Sequence, residues 1–597
     1  MIPDLVAARL GAGVRIGETR QMRSPVRCSV ALLIGSALAV SCAGTSTDLG
    51  EPAEVSSAGR PGSTVEGTGS TAENLPVGDL VVTPNPNNEL SALVTVESPV
   101  PVSIELTATS GDHVVQVPRT ASPSTSTDIP LVGLRSERDY ELTAELTDEN
   151  GAVVGSADGM FTSGAIPERF GDYDFTADPE RSSPGYTIIE MQHWRDPASA
   201  TPQRPFDEPQ YLIALDDEGE IVWYYENGPL IGAVEQTVDG TFTSIFFPTG
   251  MREFDMMGND VNVWEVPLEN AEGPSSTGVT DGSESLPVDS DDVLLELVHH
   301  EANRMSNGNL LLLSTAHHAL TPEQRAAFCP GDPEPFGVFS DVAVEFEPSG
   351  RVVRTWDLWD VIDVDEVPGE EMCNERFAVK GDRDWTHANA VVYDEERDAV
   401  IFSVRHTSQV IAMTRTDREG PQTEVRWILG EGATMPLDGD VPRYQHAVEV
   451  QDDGSILLYD NGNGREGTEP DDPTNPTYSR AVLYAIDDTS PDPADWSATQ
   501  VWEHRADDLD GEPIYASFIG DADRVANGNV LITHGGIDFM NPESNLHSVI
   551  IEVVPDGAAG GDVVWEFRAG STARPTTTYR AERIESFYIG PDWVSPS

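Results

Sequence analysis

The sequence has few basic residues, few cysteines and few long hydrophobic runs. Only 35 lysines and arginines stand against 103 aspartates and glutamates, which gives a formal net charge of -68 over 597 residues. A nucleic-acid-binding protein needs a basic face to neutralise phosphates, so this composition excludes that class. The acidic surface favours solubility, and most of its carboxylates are expected to be solvated without a partner.

The scarcity of apolar runs leaves one candidate for a targeting segment, near the N-terminus. Two arginines precede the apolar run 29–40, which is too short to span a bilayer. The run ends in Leu-Ala-Val-Ser-Cys at Cys42, and this pattern resembles a bacterial lipoprotein signal. Residues 1–42 are therefore predicted to be such a signal, with 1–21 as an upstream extension and Met22 as the start. Export without lipidation, after ordinary cleavage, is the alternative.

A lipidated Cys42 would make the protein an exported lipoprotein, at the cell surface or in the periplasm, held to the membrane by its lipid only. Of the four cysteines, Cys28 and Cys42 then belong to the signal. The remaining pair, Cys329 and Cys373, is expected to form one disulfide in an oxidising compartment. No Cys-x-x-Cys motif and no metal-ligand spacing occurs, so neither a metal nor another cofactor is predicted.

Shifts in composition divide the rest of the chain. Residues 43–75 are rich in Gly, Ser, Thr and Pro, cannot bury a core, and are predicted to be a flexible linker. Short alternating runs between turn residues predict a small fibronectin-III-like β-sandwich at 76–165. Residues 170–597 are predicted to be a β-propeller. Helical periodicity is nearly absent, and only Pro322–Phe328 is expected to form a short helix.

Tryptophan closes a strand six times in the C-terminal part, between turns such as Asn-Gly-Asn and Asp-Gly-Ser. Several short strands per unit with a fixed aromatic residue are typical of propeller blades. The predicted fold class is therefore all-β, a six-bladed propeller preceded by the sandwich. The first unit lacks an inner strand, which the C-terminal segment 580–589 is expected to supply. The six residues are Trp223, Trp264, Trp356, Trp427, Trp502 and Trp565.

One hairpin, residues 384–406, carries two candidate site residues. Two alternating runs flank its charged turn, so His387 near the start of the first strand is level with Arg405 at the end of the second. An imidazole and a guanidinium at one end of a hairpin suit an anionic group.

Other units repeat this arrangement. Counting eight residues back from the turn glycines gives one column that holds Gly232, His300, His446 and Gly520, and His387 falls into it. The first strand of each blade is innermost, so these histidines are expected to meet at one rim of the central channel. A single histidine there is usually a packing residue, whereas three beside an arginine indicate a functional site. Residues predicted to contact substrate there are Asn389, Asn461, His317 and His534.

These motifs resemble the bacterial arylsulfate sulfotransferases, which transfer sulfuryl groups without the nucleotide donor PAPS. The matching segments are His-His-Glu at 299–301, Asp-Trp-Thr-His-Ala-Asn at 384–389 with Arg405, and Gln-His at 445–446 followed by Asp-Asn-Gly at 460–462. The resemblance covers about residues 75 to 597. It implies that His446 carries the sulfuryl group covalently, with Arg405, His387 and His300 around it. The predicted disulfide and the lipoprotein-type signal depart from the family pattern.

The resemblance implies an aryl sulfate donor, a phenol acceptor and ping-pong kinetics, and a homodimer is compatible with it. The chemistry suits the residues, because a neutral imidazole is a competent nucleophile and sulfuryl transfer mainly needs positioning and charge compensation. Two alternatives stay open. One is a cell-surface propeller that binds a sulfated or phenolic ligand without turnover. The other, a quinone-dependent dehydrogenase-like propeller, is disfavoured by the six units and the lack of adjacent cysteines.

Overall fold

The computed structural model describes residues 80–193, 210–226, 231–246, 250–265, 284–285, 298–331, 336–366, 373, 382–470, 472–539, 545–572 and 574–594. The predicted signal at 1–42, with lipidation at Cys42, and the linker at 43–75 lie outside these residues and stay predictions. None of the helices in the described stretches has the length and hydrophobicity to cross a membrane.

The first sheet contains six antiparallel strands. They are β1 (Leu80–Pro84), β2 (Ala92–Ser110), β3 (His113–Val117), β4 (Ser124–Leu131), β5 (Asp139–Thr147) and β6 (Val153–Thr162). The first half of the long strand β2 pairs with β1 and β4, and its second half pairs with β3 and β5. Buried and exposed side chains alternate along β5, as expected of a strand with one face on a core. The predicted N-terminal sandwich is confirmed as a fold, while its limits of 76–165 stay a prediction.

The remaining strands follow in chain order. They begin with β7 (Tyr173–Ala177), β8 (Tyr186–His193), β9 (Tyr211–Leu215), β10 (Ile221–Glu226), β11 (Ile231–Gln236), β12 (Phe242–Phe246), β13 (Gly250–Phe254), β14 (Asp260–Glu265), β15 (Glu284–Ser285), β16 (His299–Arg304), β17 (Leu310–Ala319), β18 (Gly337–Phe346) and β19 (Val352–Asp357). They continue with β20 (Arg383–Asp384), β21 (Ala388–Asp394), β22 (Ala399–Val404), β23 (Gln409–Thr414), β24 (Gly420–Pro421), β25 (Val425–Gly430) and β26 (Leu437–Asp438). The last are β27 (His446–Val450), β28 (Ile456–Asp460), β29 (Arg480–Asp487), β30 (Ser497–His504), β31 (Asp521–Arg524), β32 (Val530–Ile537), β33 (His547–Pro555), β34 (Gly561–Ala569) and β35 (Thr576–Ile584).

Over the described residues these strands form six sheets. Five of them have a core of four antiparallel strands that follow one another along the chain. In the remaining sheet, β8, β9 and β10 are completed by β35 from the C-terminal end. The inner strands β35, β11, β16, β21, β27 and β31 contact one another in that order, and β31 contacts β35 again. The ring is therefore closed. The all-β fold with a propeller behind a sandwich is confirmed, and the outer limits of 170–597 stay a prediction.

Both chain ends close the ring. Strand β35 pairs with β8 and is the inner strand of the first sheet, as predicted, although it spans Thr576–Ile584 instead of 580–589. Strand β7 pairs with β34 and becomes the outer strand of the last sheet. Pairing the ends satisfies backbone groups that would otherwise be exposed at sheet edges.

The recurring tryptophans fill the spaces between neighbouring sheets. Trp223, Trp356 and Trp427 are fully buried. The Trp223 indole N–H donates to the Met256 carbonyl at 2.8 Å, and that of Trp356 donates to the Thr414 carbonyl at 3.3 Å. The tryptophan therefore supplies both the apolar volume and the hydrogen bond that join one blade to the next.

The sandwich and the propeller share a hydrophobic core. Val132 and Leu134 of the sandwich belong to the same buried cluster as Trp223 and Phe587 of the propeller. The Tyr588 hydroxyl accepts from the Val132 N–H at 2.9 Å, which satisfies polar groups buried at this junction.

The insertion that follows β17 contains the one α-helix of the described residues, α1 (Pro322–Phe328), as predicted. Thr321 and Gln324 form a capping box at its start. Cys329, the residue after the helix, is bonded to Cys373, so the predicted disulfide is confirmed.

We expect the Cys329 and Cys373 peptides to remain unalkylated when the exported protein is denatured without reductant. The bond joins residues 44 positions apart, so it should stabilise the fold by about 3–4 kcal/mol, less where the insertion is rigid anyway. Peptide mass spectrometry and urea unfolding with and without dithiothreitol would measure both. Alkylation of both thiols, or an unchanged urea midpoint after reduction, would contradict the expectation. The Cys329→Ser/Cys373→Ser double variant, which should not respond to dithiothreitol, is the control.

Candidate active site

Three inner strands bring the predicted histidines together. His300 lies on β16, His387 immediately precedes β21, and His446 is the first residue of β27. Strand β21 contacts both β16 and β27. The rings of His300 and His387 have their centroids 5.3 Å apart, and all three histidines are buried. The convergence predicted from the column is therefore present.

β-Bulges aim these side chains. The register of β16 against β17 shifts between His299 and Ala302, and that of β27 against β28 shifts between His446 and Glu449. His300 and His387 have positive φ angles of 57° and 51°. Non-glycine residues rarely adopt this conformation, and bulges often redirect side chains beside active sites.

The hydrogen bonds of Asn461 decide the tautomer of His446. The Asn461 amide nitrogen donates to the carbonyls of Ala516 and Ile519 at 2.8 and 2.9 Å. Its oxygen must then accept, and it lies 2.7 Å from His446 Nδ1. His446 Nδ1 therefore carries the proton and Nε2 keeps its lone pair, which faces the Ile519 N–H at 3.3 Å.

His300 is oriented through a neighbouring histidine that the sequence did not single out. His299 Nε2 lies 3.3 Å from the Ser314 carbonyl and 3.3 Å from the Asp341 carboxylate. Both partners accept, so His299 Nε2 carries a proton. In its neutral form His299 accepts at Nδ1, which is 2.8 Å from His300 Nδ1. His300 therefore donates at Nδ1 and carries its lone pair at Nε2.

His387 is oriented by Asp384, whose carboxylate is in close contact with His387 Nδ1. Both side chains are buried. A carboxylate at Nδ1 fixes the ring and stabilises a proton there. The motif Asp-Trp-Thr-His contained this pair, but its three-residue spacing alone did not show that the side chains meet.

Burial keeps the three imidazoles neutral. Desolvation, with Arg405 as the next cause, lowers the pKa of His446 to about 3. Desolvation is also the largest cause that lowers the pKa of His300 and of His387 well below the usual value for histidine. The neighbouring histidines lower it further, and so does Arg405 at His387. A neutral ring is the form that can act as a nucleophile or accept a proton.

Arg405 completes the predicted cluster. Its backbone N–H donates to the His387 carbonyl at 3.2 Å, which confirms that the hairpin sets these residues side by side. Its guanidinium lies 4.8 Å from the Tyr444 ring centroid and donates to the Ser517 carbonyl at 3.2 Å. Ser517 is two residues from Ile519, which contacts His446. The guanidinium therefore supplies positive charge beside the His446 ring.

Two of the predicted substrate contacts hold the site itself. The Asn389 amide donates to the Gln445 carbonyl at 2.8 Å, next to His446, while Asn461 orients the His446 ring. His317 Nδ1 is 2.8 Å from the Asp382 carboxylate. His534 lies between two sheets, with Nδ1 2.8 Å from the Tyr459 hydroxyl. Contact of these four residues with substrate stays a prediction.

One group of side chains has the donor types of a metal site. Ligand atoms of Asp384, His387 and His406 lie within 4.8 Å of one another. The Asp384 carboxylate already pairs with His387, and His406 Nδ1 lies 3.3 Å from the Trp385 carbonyl. The hydrogen-bonded arrangement therefore accounts for this group without an ion.

The sequence also missed Tyr579 and Arg580, which come from the C-terminal strand. The Tyr579 hydroxyl donates to the His300 carbonyl at 3.4 Å, and the Arg580 guanidinium donates to the Asn389 carbonyl at 3.3 Å. The predicted ring closure was the only signal for them, and it did not specify which side chains would reach the site.

Two family models match most of the described chain. The model described as Arylsulfotransferase (ASST) matches residues 184–580, and the Arylsulfotransferase Ig-like domain matches residues 80–160. The chain belongs to the arylsulfotransferase family. It is an enzyme that needs no PAPS.

Two curated relatives support the assignment. Arylsulfate sulfotransferase AssT of Escherichia coli O6:H1 (strain CFT073) is 24% identical over 562 residues, covering 77% of this chain and 85% of the relative. AssT of Lelliottia amnigena is 24% identical over 514 residues, covering 69% of this chain and 78% of the relative.

Solved structures show a weaker likeness to this arylsulfotransferase. A putative 6-phosphogluconolactonase from Bacteroides uniformis has 10% identity and a TM-score of 0.27, with 67% of this chain and 99% of that chain covered. The periplasmic gluconolactonase PpgL of Pseudomonas aeruginosa has 9% identity and a TM-score of 0.28, with 66% and 100% covered. At these scores the likeness decides nothing about the chain.

Proposed function

We propose that this arylsulfotransferase transfers a sulfuryl group from an aryl sulfate ester to a phenol through a covalent sulfohistidine at His446. The observation that carries the proposal is the orientation of His446. Asn461 holds its protonated Nδ1 and leaves the lone pair on Nε2. A buried, neutral imidazole with a fixed lone pair beside an arginine is the arrangement that nucleophilic attack on an anionic sulfate ester requires.

In the first half-reaction His446 Nε2 attacks the sulfur atom. The N–S bond forms while the bond between sulfur and the aryl oxygen breaks, and the aryl group leaves as a phenolate. The ring becomes cationic as the bond forms, and Asn461 stabilises it by accepting from Nδ1–H at 2.7 Å. Arg405 offsets the negative charge of the sulfonate oxygens, which a planar guanidinium can bind with two donors.

In the second half-reaction a phenol replaces the first product. The lone pair of His300 or of His387 accepts the phenol proton, and the phenolate oxygen attacks sulfur. The N–S bond breaks and returns its electron pair to His446 Nε2, which restores the neutral ring. His300 is the better defined of the two bases, because its hydrogen bond to His299 leaves its lone pair on Nε2.

Aromatic side chains near Arg405 suit an aryl substrate. Tyr444 contacts the Arg405 guanidinium, which also donates to the Ser517 carbonyl. Phe518 is the residue after Ser517. Phe518 and Phe539 have their ring centroids 3.8 Å apart. All three rings are half-buried. They present apolar faces on which a phenyl ring can stack.

We also propose that the enzyme works outside the cytoplasm, anchored by a lipid on Cys42. The signal pattern and the disulfide between Cys329 and Cys373 support this, because disulfides persist in oxidising compartments.

A chromogenic aryl sulfate, supplied with and without phenol, tests the proposed function. Without phenol we expect a burst of one released product per active site, and with phenol continuous turnover. Saturable binding of the aryl sulfate with no release of its phenol would identify the non-catalytic binding protein instead.

The burst rate is expected to stay constant between about pH 8 and pH 5. Attack needs the neutral His446 ring, and its pKa of about 3 keeps it neutral throughout this range. A histidine with the usual pKa of about 6.5 would be only about 3% neutral at pH 5, so its rate would fall about 30-fold. Quenching each sample at one alkaline pH makes the released phenol comparable across the series. A fall in rate with a midpoint near pH 6.5 would contradict the assignment.

A further inference from the structure

A buried carboxylate that the steps above do not use is linked to both candidate bases. Asp341 belongs to β18, the third strand of its sheet, and is 2% exposed. Burying a carboxylate without partners is costly, so the contacts of its two oxygens show what it is there to hold. Those contacts lead to His387 on one side and to His300 on the other.

One oxygen of Asp341 holds the segment that carries His387. Asp341 Oδ2 accepts from the Thr386 hydroxyl at 2.5 Å and from the Ala388 N–H. The Asp341 N–H donates in turn to Thr386 Oγ1 at 3.0 Å. His387 lies between these two residues and has a φ angle of 51°. The unusual backbone conformation that aims His387 is therefore fixed by a side chain from the preceding sheet.

The other oxygen of Asp341 faces the histidine that orients His300. Asp341 Oδ1 lies 3.3 Å from His299 Nε2, and His299 Nδ1 lies 2.8 Å from His300 Nδ1. A neighbouring carboxylate stabilises positive charge on an imidazole. Burial, by contrast, lowers the pKa of His300 well below the usual value, so a proton taken from a phenol does not stay on that ring. Of the two linked rings, His299 is the one that can hold an additional proton.

We propose that His300, His299 and Asp341 form a proton relay for the acceptor half-reaction, with Asp341 as its positioning residue. The relay rests on the sulfuryl transfer proposed above and adds two residues to it. As the phenol gives its proton to His300 Nε2, the Nδ1 proton of His300 passes to His299 Nδ1. His300 is then neutral, with its remaining proton on Nε2, and the positive charge stays on His299 beside the carboxylate. The next phenolate that leaves a sulfate ester takes the proton back by the reverse path.

Asp341→Asn interrupts this relay at one defined contact. The donors from Thr386 and Ala388 fix where the oxygen of the new amide lies, so its NH₂ group faces His299 Nε2. His299 Nε2 must then accept, and Nδ1 must donate to His300. This reverses the tautomer of His300 and places a proton on the nitrogen that takes the phenol proton in the parent.

The experiment compares two acceptors, with 4-nitrophenyl sulfate as the donor. In ping-pong kinetics, kcat/KM for the acceptor reports the second half-reaction and kcat/KM for the donor reports the first. We expect Asp341→Asn to lower kcat/KM for phenol by about 10- to 100-fold, less than the loss of every base because His387 remains nearby. With pentafluorophenol, which is already ionised at about pH 8 and needs no base, the loss should be less than about threefold. The value for the donor should also change less than about threefold, because nitrophenolate leaves without a proton.

Asp394→Asn is the matched control. Asp394 ends β21 at the opposite rim, is 3% exposed and pairs with Arg397 at 2.6 Å. Its replacement should lower Tm, as the loss of a buried ion pair does, without making the rate depend on whether the acceptor is ionised.

Equal losses for phenol and pentafluorophenol in Asp341→Asn, or no loss for either, would overturn the relay. If that variant does not fold, His299→Gln decides by the same comparison, because glutamine can accept from His300 but cannot take up a proton. A parent enzyme without a burst would overturn sulfuryl transfer through His446 and the relay with it. A parent burst together with equal acceptor losses would overturn the relay alone.

Discussion

Replacing His446 by alanine is expected to abolish both the burst and the turnover with aryl sulfate. The variant lacks the imidazole whose Nδ1–H donates to Asn461 and whose Nε2 carries the lone pair beside Arg405, so no sulfohistidine can form. Loss of a covalent nucleophile commonly lowers kcat by several orders of magnitude, and we expect on the order of 10⁴-fold or more. Rapid-mixing measurements of phenol release without acceptor would show the loss of the burst. Intact-protein mass spectrometry would show the loss of the sulfuryl adduct, which adds about 80 Da.

Two further variants separate chemistry from folding. His446→Asn retains a polar group near Asn461 and should also be inactive, with a Tm close to that of the parent. His113→Gln removes a histidine of the sandwich, whose Nδ1 is 2.9 Å from the Tyr140 hydroxyl, and should retain full activity. A stoichiometric burst from His446→Ala would remove this residue from the role of carrier. His300→Ala and His387→Ala should slow both half-reactions without abolishing them, because each histidine has the other as a nearby base.

Replacing Arg405 by lysine is expected to lower the transfer rate by roughly one to two orders of magnitude, about 1.4–2.8 kcal/mol. Lysine keeps the positive charge but has no planar fork with which to bind two sulfonate oxygens. It also loses the stacking of the guanidinium on Tyr444, 4.8 Å from the ring centroid. Steady-state kinetics with a chromogenic donor, analysed as kcat and kcat/KM, would measure the loss.

Arg415→Lys is the matched control for this substitution. Arg415 follows β23 in the same sheet as the Arg405 hairpin, but it pairs with Glu345 at 2.9 Å, away from the histidines. We expect its activity to change less than about twofold, since its contribution is to an ion pair of the fold. If Arg405→Lys were as active as Arg415→Lys, Arg405 would be a structural residue and its place beside His446 a coincidence.

Much of the fold followed from local patterns in the sequence. Alternating residues and turn glycines predict strands because side chains in a strand alternate between two faces. The tryptophan repeat predicted blades because each indole fills the same space between sheets, as Trp223 and Trp356 do. The missing inner strand of the first unit predicted closure by the C-terminus, since an unpaired position in a ring must be filled.

Counting eight residues back from the turn glycine identified the right position for His446, but for His300 the count was off by one residue. By strand pairing, His446 is opposite Tyr459 and the equivalent residue on β16 is His299, opposite Leu313. Both partners lie five residues after their turn glycines, so the difference arises in the bulge of β16, which is one residue longer. Counting from a turn assumes a regular ladder, and a bulge breaks that count without changing the local sequence pattern.

The sequence by itself therefore determined the all-β class, the order of the elements, the disulfide pair and the identity of the central histidines and arginine. Only the tertiary structure decided which nitrogen of His446 is available, because this depends on Asn461 and on two carbonyls from the next blade. It alone placed Tyr579 and Arg580 beside residues nearly 200 to 280 positions earlier in the chain. The reason is physical: periodicity and turn chemistry act over a few residues, whereas tautomers, bulges and buried charges are set by partners that the closed ring brings together.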